Sequence, residues 1–288
     1  MSGIVDYICR DELFSYNLYK SLAKKPFITR ELKNILVKAA EDEYKHYLFW
    51  KSISSNCKTR FSTLKILVYT VFFYLFGLTI LLKYLESKEK TAIEMYKKVV
   101  ESRPELAGIV EKIIDEELKH EEEFISGVDE ARVRYIGAIT LGISDALVEL
   151  TGIYTGSLGA FENTLSAGLT GILAGIAASI SMGVASYTQA KNEGRMKPWR
   201  AALYTFTSYI TVALLLALPY LLSNSILLAF IIMLIIAIGI VAYMSFYTAV
   251  LYSRNYVREL AETTLLLLGV SIILYVLGSI LGETLRAI

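Results

Sequence analysis

Two short motifs in the first half of the chain carry residue types that bind metal ions. Glu43 and His46 form one Glu-x-x-His motif in EDEYKHYLFW, and Glu117 and His120 form a second in DEELKHEEEF. They contain both histidines of the chain. A spacing of three residues puts the Glu and the His of each motif on one helix face. Carboxylates and neutral imidazoles suit Fe²⁺ and Mn²⁺, so the two motifs predict a centre for such metals.

An internal repeat adds one acid to each motif. The segments DELFSYNLYKSLA and KEKTAIEMYKKVV share the pattern Glu-x6-Tyr, in which the acids are Glu12 and Glu89. Glu12 lies 31 residues before the Glu of the first motif, and Glu89 lies 28 residues before that of the second. Glu86 precedes Glu89 by one helical turn and is a further candidate ligand. Glu94 competes with Glu89 but lacks the repeat spacing, because its counterpart is Asn17.

These segments predict four helices near residues 4–24, 29–54, 78–102 and 105–131. The first half of the chain is then a duplicated helical hairpin, and each hairpin supplies a Glu followed by a Glu-x-x-His motif. Two such motifs and two further acids build the di-iron or di-manganese site of a four-helix bundle. The alternative is a set of solvated charged faces, which an acid-rich run such as DEELKHEEEF would also produce.

One apolar stretch interrupts this pattern. Residues 64–82, LKILVYTVFFYLFGLTILL, would pass a hydropathy test for a membrane span. A span here would place the two hairpins on opposite sides of the membrane, and one shared metal centre could not form. We therefore predict a non-spanning crossover over residues 61–83, broken near Gly77, that lies against the membrane or a second subunit.

The charged residues are very unevenly distributed along the 288 residues. Residues 1–134 hold 22 of the 29 Lys and Arg and 21 of the 28 Asp and Glu, and the remainder of the chain is apolar. A single soluble domain and a disordered chain are therefore excluded. The net charge of +1 argues against nucleic acid as a partner. Two cysteines without a CxxC motif exclude a thiolate metal site and argue against a disulfide framework.

Five apolar stretches fill the second half, near residues 136–160, 164–190, 201–222, 225–251 and 263–285. Each reaches the roughly 20 residues that a helix needs to cross a bilayer. Basic residues lie before the first stretch and in the second and fourth loops, KNEGRMKPWR and YSRNYVRE. The positive-inside rule then predicts an integral membrane protein whose N-terminal half is cytoplasmic and whose C-terminus is outside.

The first two spans carry candidate residues for a transport path. Asp145 and Glu149 lie four residues apart in GISDALVELTG and share a helix face. Carboxylates inside a membrane mark ion or proton paths, although an acid near the membrane edge is an alternative. Met182 follows in SISMGVASY, and its thioether suits softer divalent metals, although a methionine here is more commonly a packing residue. The second span is also rich in small residues, which permit close helix contact.

The segments GISDALVELTG and SISMGVASYTQAKNE resemble the first two spans of the vacuolar iron transporter family. The resemblance covers about residues 135–285. It implies five spans, a cytoplasmic N-terminus and a homodimer that exports Fe²⁺, in some members Mn²⁺, in exchange for protons. Asp145 and Met182 match the family's Asp and Met. Ser186 departs from the Glu of many members, and a ten-residue loop replaces the acidic insert of eukaryotic members.

The first half resembles the rubrerythrin-type di-iron domains of the ferritin-like superfamily over about residues 5–125. That resemblance implies a di-iron centre in an all-α chain, with a ferritin-like four-helix bundle at 1–130 and a five-span domain at 131–288. Rubrerythrins also carry a four-cysteine iron module, which two cysteines cannot supply. The ligands that the resemblance implies are Glu12, Glu43, His46, Glu89, Glu117 and His120, with Glu86 as a seventh candidate.

Together these patterns predict a transporter that exports Fe²⁺ or Mn²⁺ and whose cytoplasmic bundle captures, senses or oxidises the metal. Ferritin-like domains with membrane iron-transporter tails are a known architecture that this chain resembles. The main alternative is a membrane-anchored di-iron oxidase or peroxidase without transport, which Ser186 favours. A metal sensor or buffer without turnover is a third interpretation.

Overall fold

The chain is all-α, as predicted. A computed structural model describes residues 2–26, 28–54, 56–57, 63–127, 131–160, 163–194 and 197–286. These residues form eleven α-helices, one short 3-10 helix and no strand. The chain divides into two compact units, Met1–Glu130 and Ala131–Ile288. The boundary between them coincides with the change from a charged to an apolar composition.

Four long helices of the first unit form a closed ring of neighbours. Helix α1 (Ser2–Leu22) packs against α2 (Arg30–Ile53), α2 against α5 (Ala107–Gly127), α5 against α4 (Leu78–Ser102), and α4 against α1. Thr29 caps α2 by accepting a hydrogen bond from the backbone N–H of Leu32 at 3.3 Å, and Pro104 opens the short 3-10 turn before α5. The elements are α1 (Ser2–Leu22), α2 (Arg30–Ile53), α3 (Thr63–Phe76), α4 (Leu78–Ser102), the 3-10 turn (Pro104–Leu106) and α5 (Ala107–Gly127).

Two apolar clusters fill this bundle and leave a polar level between them. One cluster contains Leu18 of α1 and Leu36 of α2, and the other contains Ile8 of α1 and Trp50 of α2. Helices α4 and α5 contribute to both clusters in the same way. On α2 and α5, the Glu-x-x-His motifs lie in the sequence between the residues of the two clusters, and on α1 Glu12 lies beside Leu13, next to the point where the clusters meet. The 3.6-residue period therefore turns these acids and histidines inward along with the apolar residues.

The apolar stretch at 64–82 is broken at Gly77, as predicted. Helix α3 ends at Phe76, and Gly77 has a φ of 85°, a backbone conformation that residues with a Cβ rarely adopt. Helix α3 has 14 residues, fewer than the roughly 20 of a membrane span. Tyr69 and Phe73 are buried against the bundle, while the opposite face of α3 is exposed and apolar. Residues 58–62, which include the start of the predicted crossover, lie outside the described residues.

The second unit contains five helices that are long and apolar enough to cross a membrane. They correspond to the five predicted stretches, although the last helix begins seven residues earlier than predicted, at Tyr256. The elements are α6 (Ala131–Arg134), α7 (Ile136–Ala160), α8 (Thr164–Glu193), α9 (Pro198–Leu222), α10 (Ile226–Leu251) and α11 (Tyr256–Arg286).

Close packing of α8 depends on its small residues. A Cβ atom added at Gly171 would lie 2.1 Å from the hydroxyl oxygen of Tyr154 on α7. The ring of Tyr154 stacks on Tyr220 of α9, with ring centroids 4.4 Å apart. The small residues of the second span thus permit the close helix contact that its sequence predicts.

The sequence argued against a disulfide framework, but the described residues contain one disulfide bond. Cys9 and Cys57 form a disulfide bond, with Cα atoms 6.0 Å apart. The chain after α2 returns to the start of α1, where Asp6 accepts a hydrogen bond from the backbone N–H of Asn56 at 3.0 Å. Two cysteines that are 48 residues apart give no sign of this proximity in the sequence. The return of the chain after α2 brings them together.

Replacing both cysteines by serine should therefore destabilise the first unit. Closing a loop of 48 residues constrains the unfolded chain and contributes on the order of 4 kcal/mol in the loop-entropy account. We expect a lower thermal midpoint for the Cys9→Ser, Cys57→Ser protein and for the reduced wild type. Labelling of both cysteines by a maleimide in non-reducing denaturant would contradict the disulfide.

Candidate metal centre

Four buried side chains converge at the polar level of the bundle. Glu12, Glu43, His46 and Glu117 each offer a ligand atom, and these atoms all lie within 4.8 Å of one another. The exposed fractions of the four residues are 3%, 2%, 2% and 4%. The cluster combines three carboxylates with one imidazole and could hold a metal ion.

His46 lies in the middle of the cluster. Its Nδ1 atom lies 3.1 Å from Oε1 of Glu117 and 3.7 Å from Oε2 of Glu12. Its Nε2 atom lies 2.8 Å from Oε2 of Glu116. The imidazole therefore has a carboxylate on each side, and one of those carboxylates belongs to a residue that the motif analysis passed over.

His120 lies next to the cluster in a related position. Its Nε2 atom lies 3.2 Å from Oδ2 of Asp42, and its ring centroid lies 6.5 Å from that of His46. Its Nδ1 atom is 3.8 Å from Oε2 of Glu117, which is beyond hydrogen-bond distance. Nδ1 of His120 and Oε2 of Glu117 are both buried, and neither has a hydrogen-bond partner among the residues that the structure describes. Buried polar atoms without partners are costly, and a metal ion between them would satisfy both.

Each histidine is bonded to the acid that precedes the Glu of the other motif. His46 pairs with Glu116, and His120 pairs with Asp42. Such outer carboxylates orient an imidazole and increase its basicity as a ligand. The sequence analysis missed both acids, although the motifs share a longer pattern, an acid followed by Glu-x-Lys-His, that could have indicated them.

The two tyrosines of the internal repeat cross between the hairpins. The hydroxyl of Tyr96 donates to Oε1 of Glu12 at 2.8 Å, and the hydroxyl of Tyr19 donates to Oε1 of Glu89 at 2.9 Å. Each tyrosine thus bonds the acid of the other repeat. Glu89 is outside the tight cluster of four but lines the same cavity as Glu12 and Glu117.

Glu94 and Glu86 are the other two acids that the sequence analysis considered as ligands. Glu94 is exposed, in agreement with its lower rank as a ligand. The side chain of Glu86 lies outside the described residues, so its role as a seventh ligand stays a prediction. The structure thus places five of the predicted ligands at the buried level and brings four of those five into contact range, with Glu89 bordering their cavity.

The pKa values of these groups reflect the crowding of acids. Burial and the neighbouring carboxylates of Glu117 and Glu12 raise the pKa of Glu43 well above its ordinary value. Burial would lower the pKa of His46, but the carboxylates of Glu117 and Glu12 outweigh it and raise that pKa to about 11. Burial opposes the ionised form of Glu117 too, yet its two imidazole neighbours lower its pKa. These pKa directions favour a protonated Glu43 and a protonated His46 beside an ionised Glu117.

The second unit places the predicted transport residues on two of its helices. Asp145 and Glu149 are partly buried on α7, and the hydroxyl of Tyr209 on α9 donates to Oε2 of Glu149 at 2.7 Å. Met182 on α8 packs against the apolar cluster that contains Ala146, the neighbour of Asp145. Sequence analysis did not single out Tyr209, because a tyrosine within an apolar helix has no distinctive spacing.

Comparison of the chain with protein-family models, with curated proteins and with solved structures found no match. The arguments for a function therefore rest on the side chains and on the composition of the helices.

Removal of both imidazoles should abolish metal binding by the cluster. We expect the His46→Ala, His120→Ala protein to bind Mn²⁺ more than about a hundredfold more weakly, since loss of outer partners alone costs up to about that much. A matched control replaces exposed acids on the same helices, Glu41→Gln with Asp115→Asn, and should bind as wild type does. Elemental analysis after gel filtration measures the bound metal. Equal metal content in the double-histidine variant and wild type would contradict the site.

Metal binding should also release protons. A pKa of about 11 leaves His46 protonated at neutral pH in the metal-free protein, whereas a metal ligand must be a neutral imidazole. Protons compete with the metal below that pKa, so the apparent affinity should rise as the pH rises from about 6 to 9. A pH electrode in weakly buffered protein records the release when MnCl₂ is added. Binding without acidification would show that the cluster was already deprotonated.

Proposed function

We propose that this chain is a membrane transporter that exports Fe²⁺ or Mn²⁺ from the cytoplasm in exchange for protons. In this proposal, the first unit captures the metal in its Glu and His cluster, and the second unit carries it across the bilayer. The observation that carries the proposal is the buried cluster of Glu12, Glu43, His46 and Glu117, in a chain that also has five helices apolar enough to span a membrane.

The donor set of the cluster supports a transition metal of intermediate softness. Thiolates are absent from it, and the two cysteines of the chain are bonded to each other. Carboxylates with imidazoles suit Fe²⁺ and Mn²⁺, whereas Mg²⁺ and Ca²⁺ favour sites made of oxygen alone. Two further candidate ligands, His120 and Glu89, border the cluster. When bound, a pair of iron ions would supply one-electron redox chemistry at this level of the bundle.

The acids of the second unit support the passage of a cation. Residues 164–190, 201–222, 225–251 and 263–285 contain no Lys or Arg that could neutralise Asp145 or Glu149. The described hydrogen bond to Glu149 comes from a neutral hydroxyl, that of Tyr209. A carboxylate at membrane depth is costly unless it is protonated or paired with a cation. Since Asp145 can hold a proton or a metal but not both, its occupancy would couple export of metal to import of protons.

A membrane-anchored oxidase or peroxidase is the second candidate. Ser186 supports it, because this residue is buried on α8 and offers a hydroxyl where many members of the transporter family that the chain resembles have a Glu. Loss of that carboxylate would weaken a transport path and leave the bundle's metal chemistry unaffected. The enclosed hydroxyls of Tyr19 and Tyr96 beside the acids would suit redox chemistry as well. The third candidate, a metal buffer without turnover, would require only the metal-binding cluster of the first unit.

Flux measurements in proteoliposomes distinguish these functions. We expect purified full-length protein to move Mn²⁺ and, without oxygen, Fe²⁺ when a proton gradient is imposed. Asp145→Asn should abolish this flux, because the amide cannot exchange a proton for a cation, while metal bound by the first unit is unchanged. Glu193→Gln is a matched control, since this acid is exposed at the end of α8 and should leave flux intact.

Two results would contradict transport. One is the absence of metal flux by wild-type protein that still binds metal, and the other is unimpaired flux by Asp145→Asn. If wild-type protein moves no metal but consumes peroxide, and the double-histidine variant does not, the enzyme is favoured. Binding without flux or peroxide consumption would favour the buffer.

A further inference from the structure

A small cavity leads to the metal cluster from the side where α1 and α4 meet. Its volume of about 20 Å³ accommodates one particle the size of a water molecule or a single ion. The acids of the cluster form its inner wall. Its outer wall consists of residues outside the cluster: Tyr7, Asp11 and Ser15 on α1, and Ala92 and Met95 on α4.

The residues of α1 in the outer wall of the cavity are regularly spaced in the sequence. Tyr7, Asp11 and Ser15 are spaced by four residues and therefore share one face of α1. They are partly or fully exposed, whereas Glu12, the neighbour of Asp11, is buried. One helix thus presents a carboxylate at the surface and a second carboxylate next to it in the interior. On the other side of the bundle, the bonds from His46 to Glu116 and from His120 to Asp42 join α2 directly to α5.

A buried carboxylate with an unsatisfied oxygen lines the inner end of the cavity. Glu117 is 4% exposed, and among the described residues its Oε2 atom has no hydrogen-bond partner, while Nδ1 of His120 lies 3.8 Å away. A buried carboxylate oxygen without a hydrogen bond, beside a cavity that can hold one ion, favours a cationic ligand. Burial makes the absence of such a ligand costly.

Another cation already lies near the outer end. The Nζ atom of Lys65 on α3 is 3.7 Å from Oδ1 of Asp11, and it lies 3.6 Å from the ring centroid of Phe14. Asp11 is therefore placed to attract positive charge at the surface while remaining partly exposed. A divalent ion would compete with this ammonium for Asp11 and would be attracted more strongly because of its double charge.

We propose that this opening is where divalent metal reaches the cluster, and that Asp11 is its first, transient ligand. Lys65 competes with the metal for Asp11, and this competition slows the rate at which the metal enters the cavity. Asp11 is a positioning residue: it accelerates loading and is not a ligand of the loaded site. The proposal rests on the metal centre proposed above and adds the route by which it fills.

Loading rates test this route. Full-length protein in detergent is mixed with Mn²⁺, and the loss of the electron paramagnetic resonance signal of free Mn²⁺ gives the rate and the final stoichiometry. Removing the surface carboxylate in Asp11→Asn should slow loading roughly tenfold, a typical size for a steering charge. Lys65→Met should load faster than wild type. Asp115→Asn, an exposed acid on α5, should load at the wild-type rate.

Final stoichiometry and salt dependence complete the test. We expect Asp11→Asn to reach the same final metal content as wild type and to lose most of the dependence of its rate on ionic strength. Loading of Asp11→Asn at the wild-type rate would overturn the inference. A lower final content would also overturn it, because Asp11 would then be a ligand or a structural residue. If wild-type protein binds no Mn²⁺, the metal centre itself is wrong, which is a separate outcome.

Discussion

The burial of several carboxylates at one level of a helical bundle is the constraint on which the rest of this structure depends. Transfer of an ionised carboxylate into a protein interior costs several kcal/mol even after relaxation. Glu12, Glu43 and Glu117 are nonetheless packed around His46 with ligand atoms within 4.8 Å. Like charges at this separation cannot all stay ionised without a counter-charge. The raised pKa values of Glu43 and His46 favour their protonated forms, which offset the charge of Glu117, and a bound cation could take the place of those protons.

The bundle maintains this arrangement through its duplicated construction. Each hairpin supplies an acid, a Glu-x-x-His motif and a tyrosine, and the two hairpins are joined by hydrogen bonds between these groups and acids of the opposite hairpin. Tyr96 bonds Glu12, Tyr19 bonds Glu89, and each histidine bonds an acid across the bundle. The apolar clusters lie on either side of the polar level. Because these hydrogen bonds join the two repeats, we expect the cluster to form only when both hairpins are docked.

Sequence reasoning predicted the features that depend on periodicity and repetition. The spacing of apolar residues predicted the four bundle helices. The spacing of the internal repeat indicated Glu12 and Glu89 as additional ligands beside the two Glu-x-x-His motifs. The disulfide between Cys9 and Cys57 could not be predicted, because it depends on how the chain returns to α1 after α2. Disulfides are rare in cytosolic proteins, so the predicted cytoplasmic side of the first unit also gave no reason to expect this bond. The partnership of Asp42 and Glu116 with the histidines depends on packing between helices, and its local sign in the sequence is the shared pattern of an acid followed by Glu-x-Lys-His.

The central claim is that side chains from four helices hold metal ions between two apolar layers. Anomalous diffraction from crystals of the full-length protein soaked in Mn²⁺ tests it most directly. The account predicts two strong peaks within the cluster, bounded by His46 on one side and His120 on the other, with Glu117 between them. Anomalous peaks confined to exposed acids, with the two imidazoles still bonded only to carboxylates, would contradict it.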